Sequence, residues 1–233
     1  LAPVEAALLD QQAPGLAALE AGRLRVDHGH QRDACGKEQL QGEERQRQQT
    51  EKPVIDGVLD DAVWQTPPLK LGSWVSYNPL FGESLAQQTE VRAAYDQDNL
   101  YFAFRCLDPE PDKIKSSVAR RDTIWNDDWV GVSLDSIGNR QSSYEMFVNP
   151  NGIQADIFNS STSGESTAPD WVWDSAARRT PQGFDVEIRL PLKSIRFRSG
   201  AQVRMGVLFW RRVSRQGMSA SWPSLPPGSS IFT

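Results

Sequence analysis

Alternation with a period of two is the feature that most constrains this chain. Val91, Ala93 and Tyr95 fall on one side of a run, and Leu100, Phe102, Phe104 and Cys106 on one side of the next. The cluster Asp96-Gln97-Asp98-Asn99 between them is a turn signal, so the two runs predict a hairpin. Val130, Val132 and Leu134 alternate again, as do Tyr144, Met146 and Val148, which lead into the turn Asn149-Pro150-Asn151-Gly152. Ile153, Ala155 and Ile157 supply the returning strand. Phe184 to Leu190 and Val203 to Phe209 repeat the pattern. Short alternating runs separated by turns, with almost no helical period, predict an all-β, antiparallel β-sandwich. One short helix is expected at Asp60–Gln65, capped by Asp60.

The first 50 residues differ in kind. The chain has 8 Trp, 4 Tyr and 9 Phe, and every one lies after residue 50. Residues 1–22 are rich in Ala, Leu and Glu and are broken by Pro14-Gly15, and residues 38–49 are polar and low in complexity. Such a stretch buries too little surface to offset its ordering entropy, so residues 1–50 are expected to be disordered or weakly helical. The chain opens on Leu1 and its first methionine is Met146. Residues 1–50 are therefore expected to be a non-native leader to a fragment of a longer protein. A module over 51–225 and a truncated linker over 226–233 complete the expected organisation.

Composition removes several functions. The net charge is −5, so no basic footprint for nucleic acid is present. No apolar run approaches the length of a membrane helix, and no signal peptide is visible. Both histidines, His28 and His30, lie in the first 50 residues, which leaves Cys106 as the one histidine or cysteine beyond them. That removes Ser-His-Asp, Cys-His and His/Cys zinc chemistry from the aromatic-rich part. There is no Walker loop and no nucleophile elbow. Carboxylate chemistry, an oxygen-liganded metal, or plain binding remain.

Four ordered segments resemble a known family. They are Pro53-Val-Ile-Asp-Gly-Val-Leu-Asp-Asp-Ala-Val-Trp64; Val91-Arg-Ala-Ala-Tyr-Asp96 with Asn99-Leu-Tyr-Phe-Ala-Phe104; Trp125-Asn-Asp-Asp-Trp-Val-Gly-Val-Ser-Leu-Asp135; and Phe184-Asp-Val-Glu-Ile-Arg-Leu-Pro191. Together they are similar to the family 9 carbohydrate-binding modules, which have a DOMON-like sandwich. Tyr144 to Gly152 and Phe209 to Pro223 further resemble the subgroup in which such a module precedes an outer-membrane β-barrel (the DUF5916 type). The resemblance implies a non-catalytic module that binds a glycan or oligosaccharide, calcium in some members, a C-terminal barrel partner, and the cell envelope of a Gram-negative bacterium as its place. In family 9 modules a Trp at the position of Trp125 stacks on the sugar. The sugar-binding members carry Glu, Arg and Gln where this chain has Gly131, Phe147 and Trp210.

A sugar site needs aromatic platforms and planar polar groups. Trp125, Trp210 and Trp222 are the candidate platforms, with Arg120, Arg121, Asn149 and Arg212 as hydrogen-bonding partners. Trp210 shares a strand face with Arg204 and Arg212. Oxygen-rich loops at Asp56, Asp60 and Asp61, and at Asp127 and Asp128, are the candidate calcium ligands. Asp108 and Asp112 form a third acidic loop. Two rival functions stand beside glycan binding: a structural or interaction domain of a barrel protein, and part of a carbohydrate-active hydrolase, which needs two carboxyls facing across a cleft.

Overall fold

The structure, a computed structural model, describes residues 52–198, 203–227 and 229, and the backbone course of residues 18–20, 23–27 and 202. Its strands are β1 (Ala18–Glu20), β2 (Arg23–Asp27), β3 (Ser76–Asn78), β4 (Thr89–Tyr95), β5 (Asn99–Leu107), β6 (Trp129–Asp135), β7 (Ser142–Val148), β8 (Gln154–Ser160), β9 (Gly164–Ser166), β10 (Asp174–Thr180), β11 (Gly183–Pro191), β12 (Gln202–Val213) and β13 (Met218–Trp222). They form two antiparallel sheets. The larger runs β1-β2-β12-β6-β7-β8-β9, with β13 and β3 added beside β12, and the smaller runs β10-β11-β5-β4.

The alternation decides the packing. Phe102, Phe104, Val186 and Ile188 on the smaller sheet face Val130, Val132, Met146, Val207 and Phe209 on the larger one. The rings of Phe102 and Phe104 meet Phe209 edge-on at 6.1 and 5.8 Å. Cys106 lies in this core as a buried free thiol.

Two expectations change. Within residues 1–50, where disorder or weak helix was expected, the described residues are strands. β1 and β2 form a hairpin, and β2 pairs with Gln202–Gly206 of β12. A long edge on β12 offers unpaired backbone groups, and backbone pairing there outweighs the Ala/Leu helix propensity. The helix expected at Asp60–Gln65 is a single 3-10 turn, Ala62–Gln65, with Asp61 rather than Asp60 at its N-cap.

The outer faces of the two sheets are unlike. The smaller sheet carries Ala94, Tyr101 and Ala103 outward, and residues 53–66 lie across them with Leu59 and Trp64. Glu187 holds that cover down. Its carboxylate accepts the Trp64 indole N–H (2.7 Å) and the backbone N–H groups of Gly57 (2.8 Å) and Asp56 (3.0 Å). On the larger sheet, Tyr77, Trp125, Ile153 and Leu225 pack half-buried over the outer aromatic face among the described residues.

Candidate functional site on the larger sheet

Register gathers the site. Ser221, Trp210, Gly131, Phe147 and Ala155 lie side by side across β13, β12, β6, β7 and β8. The adjoining row is Leu208, Ser133, Glu145 and Ile157. Side chains of both rows point away from the core and join a second apolar cluster of Ile124, Trp129, Phe147, Ala155, Ile157, Leu208 and Trp210. Tyr77, Trp125, Ile153 and Leu225 pack on its rim, half-buried.

Trp125 comes from the loop before β6. Its indole N–H donates to the Asp122 carbonyl at 2.9 Å, which fixes the ring. It meets Trp129 at 6.0 Å and Phe147 at 5.3 Å, while Trp129 and Phe147 meet at 5.0 Å, all edge to face. That arrangement suits the aromatic quadrupoles. Phe147 folds over Gly131, where a Cβ would lie 2.3 Å from the Phe147 Cδ1. Trp210 is anchored by its N–H to the Ser133 hydroxyl (2.7 Å) and faces Tyr77 edge-on at 5.4 Å.

Glu145 lies beside this cluster and is 3% exposed. Burial pushes its carboxyl up to about 7, and the hydroxyls of Ser143 and Ser133 and the amide of Asn159 act in the opposite direction. The Ser143 hydroxyl donates to it at 2.8 Å. Burial also raises the Tyr77 phenol, against the pull of the Arg212 charge.

The structure brings together three of the seven candidate ligand-binding residues. Trp125, Trp210 and Arg212 share this side of the sheet. The Arg212 guanidinium donates to the Gly217 carbonyl (2.9 Å) and the Ser219 hydroxyl (3.0 Å). Trp222 departs from the expectation. Register places it opposite Phe209, whose side chain points inward, and the two rings stack at 6.2 Å against the core. Asn149 is fully buried and builds its turn, accepting the backbone N–H groups of Asn151 and Ile153 and donating to Asp127. Arg121 binds Asp156, Asp170 and the Trp171 carbonyl at the sandwich rim. Arg120 is exposed in its loop.

The acidic loops do not fit a calcium ion. Asp127 Oδ2 accepts the Ser117 N–H and hydroxyl and the Asn149 amide. Asp128 accepts the Ser214 N–H at 2.9 Å and faces Arg211 at 3.5 Å, both side chains fully buried. Burial raises the Asp128 carboxyl even beside that guanidinium. Asp56 and Asp61 accept the backbone N–H groups of Val58 and Val54, and Asp60 is exposed. Among the described residues no three acidic, histidine or cysteine side chains gather around a common point.

The carboxyls near Trp125 are likewise committed. Asp122 accepts the Asp156 N–H (2.8 Å), and Asp156 accepts the Trp173 indole (2.6 Å) and Trp171 N–H (3.1 Å). A depression of about 510 Å³ lies elsewhere, between residues 53–55 and the start of β10. Its polar groups are also paired, Arg189 with Asp174 and Gln154 with Ser175.

Sequence reasoning missed Tyr77, Glu145 and Leu225. Tyr77 stands in a three-residue strand too short to show alternation. Glu145 reads in sequence as the solvent-facing member of its strand, and Leu225 as the last residue of the module, just ahead of the expected linker.

Residues 55–213 match the family described as carbohydrate family 9 binding domain-like. No curated protein matches the chain. Among solved structures, the chain is similar to a family 9 carbohydrate-binding module from Caldicellulosiruptor kristjanssonii in complexes with glucose and with cellotriose. Each is 19% identical with a TM-score of 0.47, and the match covers 73% of this chain and 80% and 78% of those chains. A protein from Bacteroides uniformis, described as a candidate carbohydrate-binding protein, is 12% identical with a TM-score of 0.52, over 67% of this chain and 75% of that one. At 12% identity that likeness is one of fold alone. With its four ordered motifs, its two-sheet architecture and a match over most of its length, the chain belongs to the carbohydrate family 9 binding domain-like family.

Proposed function

We propose that this domain is a non-catalytic carbohydrate-binding module that holds a glycan on the outer face of the larger sheet, with Trp125 and Trp210 as its aromatic surface. The observation that carries the reading is the cluster of rings on the outer face of the larger sheet, in which Trp125 and Tyr77 are half-buried at the rim. Family membership supports it, as do the glucose and cellotriose complexes of the Caldicellulosiruptor module. A site of this size supports micromolar-to-millimolar affinity, about −4 to −8 kcal/mol.

The test is calorimetric and fluorescence titration against a panel of oligosaccharides. Saturable heat with a change in Trp emission is expected, and Trp125→Ala weakens it about tenfold by removing one stacking ring. A folded protein that gives no heat and no emission change across the panel refutes the reading.

One observation favours a second reading, an interaction domain without sugar binding. Phe147 fills the space over Gly131, and Leu225 from the chain's own tail rests on the same cluster. Under either reading we place the domain ahead of a C-terminal β-barrel in a Gram-negative envelope, on the resemblance of Tyr144–Gly152 and Phe209–Pro223. Fractionation of the full-length protein into the outer membrane is the expected result, and a soluble cytoplasmic product refutes it.

A further inference from the structure

The depression between residues 53–55 and the start of β10, about 510 Å³ in volume, shares no residue with the aromatic cluster around Trp125. Small-molecule sites enclose about 300–1,000 Å³ and carry a few converging polar groups. Register builds the polar wall here, because Asp174 lies directly opposite Arg189 across β10 and β11. Arg189 Nε and Nη2 both donate to Asp174 Oδ2, at 3.0 and 2.9 Å. That leaves Asp174 Oδ1 and Arg189 Nη1 without a partner among the described residues, and both atoms reach solvent. The Arg189 and Asp174 side chains are 38% and 48% exposed. The Ser175 hydroxyl accepts the Gln154 amide at 3.1 Å and keeps its own proton to donate. The opposite wall is apolar, formed by Pro53, Val54 and Ile55, and Val54 is 62% exposed.

The charges decide what such a depression can hold. Arg189 offsets Asp174, so neither an anion nor a cation finds a net opposite charge there. A hydrocarbon would take water from the unused carboxylate oxygen and guanidinium N–H groups and return nothing. A neutral sugar suits both walls. Each of its hydroxyls donates and accepts, bonds to the charged pair are of the stronger kind, and its ring has a C–H face for the aliphatic side.

We infer that this depression is a second saccharide site, which takes a neutral pyranose with its hydroxyls on Asp174, Arg189 and Ser175 and its C–H face on Val54. Cross-strand pairing holds Asp174 and Arg189 together before the sugar arrives, so less side-chain freedom is lost on binding. The site goes beyond the reading above and needs no part of the Trp125 face.

The test is a titration of the isotope-labelled protein, followed by two-dimensional NMR, with the methyl glycosides of glucose, galactose, mannose, xylose and fucose. Glucuronate and glucosamine serve as charged counterparts. Saturable shifts with a neutral sugar are expected at the amides of residues 54, 55, 174 and 175 and at the Arg189 side chain. Asp174→Asn is expected to weaken that binding about tenfold, and Val54→Ser about fivefold, while any shift of the Trp125 indole stays as in the parent.

Shifts at the Trp125 indole alone overturn the second site and leave the reading above standing. Shifts at the depression alone support the second site and overturn the placement on the larger sheet. Shifts nowhere, with no heat from the oligosaccharide panel, overturn both. Binding at the depression by glucuronate or glucosamine and by no neutral sugar overturns the class of ligand. Equal affinity in the parent and in Asp174→Asn overturns the role of the charged pair.

Discussion

Gly131 and Phe147 form an interlocked pair, and their coupling is measurable. A Cβ at position 131 would lie 2.3 Å from Phe147 Cδ1, 2.8 Å from its Cε1 and 2.8 Å from the Met146 carbonyl oxygen. Real Cβ atoms do not approach that closely, so Gly131→Ala forces the ring aside, and overpacking of this kind costs about 1–3 kcal/mol. Phe147→Ala empties the space instead and costs about 3–5 kcal/mol. In the double variant the ring is gone and only the Met146 contact remains. Alanine is also the better strand residue by about 0.5–1 kcal/mol, since glycine loses more backbone entropy. The second substitution is therefore expected to cost less in the Phe147→Ala background, where only the Met146 carbonyl still opposes it, than in the parent, and the double variant to be about 1–3 kcal/mol more stable than the sum of the singles predicts. Urea unfolding of the four proteins, with linear extrapolation, measures it. Additivity within about 0.5 kcal/mol would refute the packing argument, and so would a Gly131→Ala variant as stable as the parent.

Three further predictions follow from buried groups. Glu145 is raised by burial from its ordinary 4.5 to about 7. The native state thus holds a proton that the unfolded chain has released, so this contribution is full below pH 4.5 and is lost as pH rises through 7. It amounts to about 3 kcal/mol; Glu145→Gln, which mimics the neutral acid, is expected to gain on the parent between pH 5 and pH 8 in urea unfolding, and an equal difference at both pH values refutes it. Glu187→Ala strands three donors, those of Asp56, Gly57 and Trp64, at about 1–3 kcal/mol each; faster amide exchange across residues 54–66 with a lower Tm is expected, and an unchanged Tm contradicts the clasp. Burial pushes the Cys106 thiol up to about 12, so it is expected to resist a disulfide reagent at pH 8 until urea is added, and stoichiometric labelling of the native protein would show the core to be open.

The longer core strands were legible, because burial of one face writes alternation into them. β4, β5, β6, β7, β11 and β12 carry it plainly. Two others were not. β10, at the edge of the smaller sheet, reads Asp-Ser-Ala-Ala-Arg-Arg-Thr without an apolar rhythm, and β13 alternates Met218, Ala220 and Trp222 with serines over only five residues. The direction of Trp222 depends on register against Phe209, a pairing of strands that no local pattern reveals. For the site, residue types were legible and neighbours were not. Trp125 and Trp210 stood out as rings, but Phe147 meets them through the β6–β7 pairing and Tyr77 through β13. Arg211 was hidden by its neighbour Arg212. Alternation turns Arg211 inward, over the Phe184 ring at 4.7 Å and beside Asp128, a buried charge that no composition suggests.

The Glu187 clasp bears on how the chain is made. The bonds it forms with Asp56, Gly57 and Trp64 span 131, 130 and 123 positions of sequence. On a ribosome, residues 53–66 emerge long before the strand that fastens them, and Tyr101 and Ala103 wait beside an unfastened flap until β11 arrives. Closure of so long a loop belongs to the late and slow part of folding. A translation pause or chaperone acting between β5 and β11 would therefore be shielding the outer face of the smaller sheet.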